Sequence, residues 1–139
     1  MGQRRKAREL ALQCLYELEE AGKDPGEVLR SNAERRDSSR DSAEYAGRLV
    51  AWVLDETESL DKAIAAHLQN WDIARVSLVL RVIMRLSLAE GRHAPELSVG
   101  IILNESVELA RKYDGDKGAS FVNGVLEGLI NAARDTGEA

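Results

Sequence analysis

The chain has 139 residues, of which 44% are hydrophobic and 31% charged, and 19 Lys and Arg against 24 Asp and Glu give a net charge of −5. This length suits one domain with a sizeable core, and the composition is that of a folded chain, not a disordered one. The single cysteine, Cys14, excludes an internal disulfide and indicates a reducing compartment. No apolar run approaches the roughly 20 residues that a membrane span needs, so we expect a cytoplasmic protein without membrane contact.

Apolar residues recur at three- and four-residue spacing along the chain, and no stretch alternates as a strand does, so the sequence predicts an all-α fold. Glycines, prolines and capping residues divide the chain into a compact set of seven helices. These helices are expected at about 4–20, 27–32, from 41 onward, around 60–70, 72–90, from 95 or 98 to 113, and 119–134.

Several local signals set the expected helix ends. The stretch 30–44 has no large apolar residue and is predicted to be mostly a solvated loop. Asp41 with Glu44 resembles a capping box that opens the third helix, and Asp72 is expected to cap the fifth. "DGDKG", residues 114–118, is predicted to be a turn.

The fifth predicted helix is apolar around most of its circumference, which is typical of a helix that is central or pressed against a partner. Leu78, Leu80 and Leu88 are expected on its exposed side. They therefore offer a surface for self-association as one alternative.

Residues that could carry catalysis or bind a metal do not form a recognisable set. His67 and His93 are far apart and have no Cys or His neighbours at ligand spacing, so we expect no metal site. Cys14 lies on an apolar stripe, where an inert core thiol is expected. "GDKGAS" lacks the spacing of a phosphate loop. We therefore expect a binding protein without a cofactor, not an enzyme.

The N-terminus carries Arg4, Arg5, Lys6 and Arg8 in its first eight residues, with no acid among them. One interpretation is a solvated helix start in which Arg5 pairs with Glu9 at i,i+4. However, cations at a helix N-terminus oppose the helix dipole, which favours a functional role for the cluster.

The functional interpretation is a contact with single-stranded RNA. Arg5, Arg8, Leu12 and Tyr16 share one side of the first helix at helical spacing. Guanidinium groups bind phosphates and an adjacent aromatic ring stacks on bases, so this pattern suits RNA.

Two motifs near the C-terminus carry a family resemblance. "LNESVELARKY" at 103–113, followed by "SFVNGVLEGL" at 120–129, closely resembles the paired signature of the NusB family of transcription antitermination factors. "ARELALQCLYELE" and "NWDIARVSLVLRVIMRLSLAE" are similar to earlier segments of that family. The resemblance implies a single domain over 1–139 made of two packed three-helix bundles. They are expected over about 3–57 and 58–134, with a frayed tail at 135–139.

The resemblance also implies binding of the boxA element of ribosomal RNA transcripts together with the small-subunit ribosomal protein NusE. The two proteins would join an antitermination complex on RNA polymerase. The RNA-binding residues carried over from the family are Arg4, Arg5, Arg8, Tyr16, Lys117, Ser120, Phe121 and Asn123. The partner-binding region is carried over as Leu78, Leu80, Arg81 and Arg85. A core position for Phe121 and a bond from Asn123 to a neighbouring helix stay open as alternatives.

This chain departs from the family pattern where the family meets NusE, because Leu80 replaces a frequent acid and Ala89 a frequent tyrosine. The alternative function is therefore an RNA-independent helical interaction module, or diverged paralogue, that self-associates through its fifth helix. A monomer at high micromolar concentration in sedimentation would exclude that alternative.

The RNA hypothesis predicts that Arg5→Ala or Arg8→Ala weakens binding to all RNA sequences, reduces its salt dependence and leaves the fold intact. Fluorescence anisotropy with a short boxA-like RNA measures this change. Unchanged binding would exclude this side of the first helix as an RNA contact.

Overall fold

The computed structural model describes residues 2–69 and 72–135, and every regular element in those ranges is helical. The all-α prediction is confirmed. The elements are α1 (Gly2–Glu17), α2 (Pro25–Arg35), α3 (Arg40–Ala66), a single 3-10 turn (Ile73–Arg75), α4 (Leu78–His93) and α5 (Val99–Asp135). None of the helices in these ranges is long and apolar enough to cross a membrane. The frayed tail expected beyond 135 lies outside the described residues.

The expected number of helices is wrong, because residues 2–69 and 72–135 form five α-helices where seven were predicted. α3 continues through the expected break before Leu60, where no Gly or Pro interrupts it and the Thr57 hydroxyl donates to the carbonyl of Val53 at 2.6 Å. α5 joins the last two predicted helices. Within the expected turn at 114–118, Gly115 has φ 80° and ψ −173°, which kinks α5.

The stretch 30–44 is mostly helical, in contrast to the predicted loop. α2 continues to Arg35 because Asn32 is buried, and its amide donates to the carbonyl of Val28 and to the carboxylate of Glu17. Only residues 36–39 remain as a connection, and Asp37 has a positive φ of 51° there.

The caps of α3 and α4 also differ from the prediction. The hydroxyl of Ser39, not Asp41, accepts from the backbone N–H of Ser42 at the start of α3. Asp72 caps the 3-10 turn, and Ser77 caps α4. Ser and Asp are similarly good N-caps, so the sequence alone does not distinguish neighbouring candidates.

α4 is the central helix of the molecule, as its apolar circumference predicted. Every residue from 82 to 91 is buried, and α4 packs against α1, α3 and α5. Leu80 and Leu88 were expected to be exposed, but they are 6% and 1% exposed, respectively. The self-association surface expected there is therefore reduced to Leu78, which is itself half-buried.

The loop between α4 and α5 is fastened by one side chain from the other end of α5. The guanidinium of Arg134 donates to the carbonyls of Gly91, Ala94 and Leu97 at 3.1, 3.2 and 2.6 Å. These bonds satisfy carbonyl groups at a helix end, where no partner exists within the helix.

A buried charge network joins α1 to α3, α4 and α5. Arg8 is 3% exposed and donates from Nε and Nη2 to the two carboxylate oxygens of Glu90, at 2.7 and 2.9 Å. The hydroxyl of Tyr45 donates to the same carboxylate at 2.5 Å, and Glu105 lies 3.8 Å from Nη1 of Arg8. Burial and the bond to Glu90 raise the pKa of Tyr45, so this phenol stays a neutral donor.

We predict that Arg8→Ala destabilises the protein by about 3–5 kcal/mol, because it leaves the buried carboxylate of Glu90 without its cation. Urea unfolding followed by circular dichroism measures the change. The structure thus indicates that this substitution acts on stability, in contrast to the expectation of an intact fold.

The matched control is Arg40→Ala, which removes an exposed cation paired with Glu44 at i,i+4. Its expected cost is at most about 0.5 kcal/mol. Similar losses in the two variants would contradict the assigned role of Arg8.

Candidate nucleic-acid interface

The N-terminal arginines are each paired with an acid distant in sequence. Arg4 lies over the ring of Tyr45, 4.7 Å from its centroid, and donates to Glu96 at 3.2 Å. Arg5 binds both carboxylate oxygens of Glu105, at 2.9 and 2.8 Å, and not Glu9 as the i,i+4 interpretation expected. The Arg5 side chain is still 60% exposed. Of the three arginines, Arg5 is therefore the one best presented to solvent.

The exposed side of α1 is rotated relative to the expected one. The expected side consisted of Arg5, Arg8, Leu12 and Tyr16. Arg8 and Leu12 are buried in the structure. The outer line consists instead of Lys6, Glu9, Gln13 and Tyr16, which we name the α1 stripe. Its two ends, Lys6 and Tyr16, are exposed, and Tyr16 is 50% exposed.

Glu9 binds side chains from α5 and from the connection after α2, and so brings them next to the α1 stripe. Its carboxylate accepts from the hydroxyl of Tyr113 at 2.6 Å and from Lys112, and Arg36 lies 3.2 Å away. Burial opposes the charged form of Glu9, but the bonds from Lys112 and Tyr113 and the charge of Arg36 outweigh it and lower the pKa of Glu9. The stripe is thus bordered by cations from α5 and from the connection after α2.

Arg36 and Lys112 were not among the predicted site residues. Both reach the stripe only through tertiary packing, since Lys112 lies 103 residues from Glu9 in sequence. Neither residue has a local pattern that distinguishes it from an ordinary surface cation, so helical spacing alone could not identify them.

A cavity of about 480 Å³ opens beside Tyr16. Leu12 and Val79 give it apolar walls, and Tyr16 and Tyr113 give it aromatic ones. The lining is completed by the polar residues Gln13, Glu17, Asn32 and Arg35. An apolar cavity with aromatic walls and a polar edge suits a planar, hydrogen-bonding group such as a nucleobase.

The second predicted patch lies on α5 after the kink. Lys117, Ser120 and Asn123 are exposed, while Phe121 is half-buried and packs against the core. Much of the Phe121 ring therefore occupies the core position that was left open as an alternative.

A smaller cavity lies at this patch. Lys117, Phe121 and Arg75 line a space of about 220 Å³ together with Leu80 and Asp114. The chain neighbours of the last two, at positions 79 and 113, line the larger cavity. The structure thereby brings Tyr16, Lys117 and Phe121 to adjoining cavities, and it does not bring Arg4 or Arg8 there.

Two of the four predicted partner-binding residues are largely buried. Arg85 binds both oxygens of Asp61, at 2.6 and 2.9 Å, and also Glu19 at 3.3 Å. Leu80 is buried as well. Leu78 and Arg81 are half-buried, and Nε of Arg81 donates to the carbonyl of Val76 at 3.0 Å.

Cys14 and His93, which were considered for catalysis and metal binding, each pack against neighbouring residues of the fold. Cys14 is buried, and burial raises the pKa of its thiol to about 11. His93 lies 2.5 Å from a carboxylate oxygen of Glu56 and stacks on Trp52. Within 2–69 and 72–135, His, Cys, Asp and Glu form no group of three that could hold a metal ion.

The helices and the bordered stripe define an all-helical binding protein. The chain belongs to the NusB family, because the model of that family matches residues 5–131. It is 33% identical to the transcription antitermination protein NusB of Leptospira biflexa over 91% of each chain. It is 37% identical to the protein of that name from Bacillus pumilus, over 92% of this chain and 95% of that one.

Solved structures agree with this assignment. A crystal structure of the antitermination factors NusB and NusE in complex with dsRNA contains a chain 33% identical to this one, with a TM-score of 0.85 and coverage of 95% and 98%. The solution structure of NusB from Aquifex aeolicus is 34% identical, with a TM-score of 0.82 and coverage of 99% of this chain and 93% of that one.

We predict that Glu9→Gln destabilises the protein by about 1–2 kcal/mol at pH 7, because charge-assisted bonds to Glu9 are lost. The folded-state pKa of Glu9 is lowered, so its contribution is present above the ordinary carboxyl pKa and is lost as pH falls through the lowered value. The difference between the variant and the original chain should therefore shrink toward pH 3.

Urea unfolding at pH 7, 5, 4 and 3 measures this difference. Glu44→Gln, at an exposed i,i+4 pair, is the control and should cost less than about 0.5 kcal/mol at pH 7. A difference for Glu9→Gln that is constant over this range would contradict the assigned ionisation.

Proposed function

We propose that this protein is a transcription antitermination factor that binds boxA-type single-stranded RNA together with NusE. It joins these partners in an antitermination complex on RNA polymerase. The observation that carries the proposal is the α1 stripe with its bordering cations and aromatic cavities. Membership of the NusB family, and a similar chain solved with NusE and dsRNA, support it.

The stripe has the dimensions and chemistry of a short single-strand track. Lys6 and Tyr16 are ten residues apart, which spans about 15 Å along a helix. Lys112 and Arg36 border this track and are placed to contact phosphates. Tyr16 offers a face on which a base can stack.

Distinct roles follow for the family residues carried over from the sequence. Arg5, Tyr16 and Lys117 contact RNA directly. Phe121 offers the exposed part of its ring, and Ser120 and Asn123 are on the solvent side of the same helix. Arg4 and Arg8 act differently, because Arg4 holds α1 against the loop between α4 and α5, and Arg8 holds it against α4.

The acidic balance of the chain supports specificity. With a net charge of −5, the bulk of the surface repels phosphates, and attraction is confined to the bordered stripe and the α5 patch. Such an arrangement lowers non-specific RNA binding relative to specific binding.

For NusE we propose the surface at the start of α4, where Leu78 and Arg81 keep exposed area. Leu80 and Arg85 are buried under this surface, and Arg85 is bonded there to Asp61 on α3. Its action on nascent transcripts places the protein in the cytoplasm.

We further propose that the chain is one domain of two three-helix bundles, over about 3–57 and 58–134. The packing of α1 on α2 and α3, and of α4 on α5, supports this division. α3 crosses the boundary and belongs to both bundles.

The test is a fluorescence-anisotropy titration of a boxA-like RNA, with and without NusE, at two salt concentrations. We expect salt-sensitive binding that NusE strengthens. Tyr16→Ala should weaken RNA binding roughly 5- to 150-fold, since one stacked base contributes about 1–3 kcal/mol. Tyr16→Phe keeps the ring and should bind nearly as the original chain does.

Leu54→Ala is the matched control, because Leu54 on α3 is also a large, exposed apolar residue. It should not change RNA binding. Equal affinities for Tyr16→Ala and Leu54→Ala would exclude the stripe as the RNA contact. If the chain bound RNA neither alone nor with NusE, the interaction-module alternative would replace the proposal.

A further inference from the structure

A third cavity, of about 620 Å³, lies between the start of α1 and the connection from α2 to α3. It adjoins the α1 stripe because Glu9 and Lys6 form one of its walls. The opposite wall is formed by residues 36–39. None of the family residues carried over from the sequence lines this space.

The cations of this cavity are available for a ligand. Lys6 is exposed and has no ion-pair partner among the residues that the structure describes. Arg36 contacts Glu9 through one guanidinium nitrogen, at 3.2 Å. Because a guanidinium group carries five N–H donors, Arg36 can bind a second acceptor without losing this contact.

The lining also holds two carboxylates, those of Glu9 and Asp37. Lys112 and Tyr113 already bind the carboxylate of Glu9 from the far side. Asp37 is the remaining carboxylate of the lining, against both Lys6 and Arg36. With Lys112 on Glu9, three cations face two carboxylates around this cavity, in a chain whose net charge is −5.

The remaining lining suits an oxyanion. Ser38 and Ser39 contribute hydroxyl groups, and the connection leads directly into the start of α3. A small polar cavity with a Lys, an Arg and hydroxyl groups matches the acceptors of a phosphate group.

We propose that this cavity binds a backbone phosphate of RNA, so that the bound strand continues past the α1 stripe onto the α2–α3 connection. The inference rests on the proposed function. RNA is the source of the phosphate because Lys6 belongs to both surfaces. A strand that runs along the stripe from Tyr16 toward the helix start reaches the cavity at its end.

The test compares two RNAs with the same boxA core, one of the core alone and one extended by about five nucleotides at each end. The variant is Lys6→Ala with Arg36→Ala. Each lost phosphate contact lowers the slope of log K against log salt by about 0.7 for a single strand. We expect the slope for the extended RNA to fall by about 0.7, the value for one phosphate, and its binding to weaken about 5- to 20-fold.

The core RNA lacks the phosphate that fills the cavity, so its binding should weaken less than that of the extended RNA, through the contacts that Lys6 and Arg36 make at the stripe. The control is Arg30→Ala with Arg40→Ala, because these exposed cations lie on α2 and α3 and pair with Glu34 and Glu44. This control removes the same charge outside the cavity, and its slopes should equal those of the original chain. Thermal melts establish that both double variants fold.

Two results would overturn the inference while the proposed function stands: an unchanged slope for the extended RNA, or equal losses on both RNAs. A chain that binds neither RNA overturns both. A separate titration with inorganic phosphate, followed by amide chemical shifts, distinguishes binding of free phosphate from binding of an RNA phosphate. Shifts at Ser38 and Ser39 with no change in RNA binding in the variant would identify a site for free phosphate and overturn the RNA assignment.

Discussion

The ion pair between Arg8 and Glu90 determines how the first helix is oriented. A buried guanidinium must face its carboxylate, because an unpaired charge inside a protein is strongly destabilising. With Arg8 turned toward α4, Leu12 points into the core one turn later, and Lys6, Glu9, Gln13 and Tyr16 are left outside. The outer side of α1, which carries the stripe, is thus set by a bond on its opposite side. Tyr45 adds a donor from α3, so the rotation of α1 and a contact between α3 and α4 depend on the same carboxylate.

This geometry explains why an acidic protein begins with a cluster of cations. Arg4, Arg5 and Arg8 reach acids at 96, 105 and 90, which attaches the N-terminus to the C-terminal half of the chain. The cations that border the stripe come from elsewhere: Arg36 follows α2 and Lys112 belongs to α5. The charges that attach α1 and the charges that border the stripe therefore come from different parts of the sequence, although both surround the same helix.

Helical spacing was sufficient to predict the fold class and the central position of α4, because these follow from the apolar pattern alone. The family motifs were sufficient for the assignment to NusB. Helical spacing placed Arg8 on the solvent side, because a charged residue is expected to be exposed unless a buried partner is known. Its partner Glu90 lies 82 residues away in sequence. The pattern also placed Leu80 and Leu88 on a free surface. An apolar residue is compatible with burial by the same chain or by another, and only tertiary structure distinguishes these cases. The predicted break in α3 was wrong because the sequence around Thr57 contains no Gly or Pro that would end a helix.

The complete burial of α4 between 82 and 91 has a consequence for how this protein can be divided. A helix without an outer side has no stable form apart from its neighbours, and here those neighbours come from both ends of the chain. Cutting the polypeptide before or after α4 would leave one fragment with an open hydrophobic groove and the other with a helix whose buried side chains are exposed to water. The helices before and after α4 are thus not modules that can be exchanged separately. Insertions and fusions belong instead in the exposed connection at 19–24, far from this helix in sequence and free of core side chains.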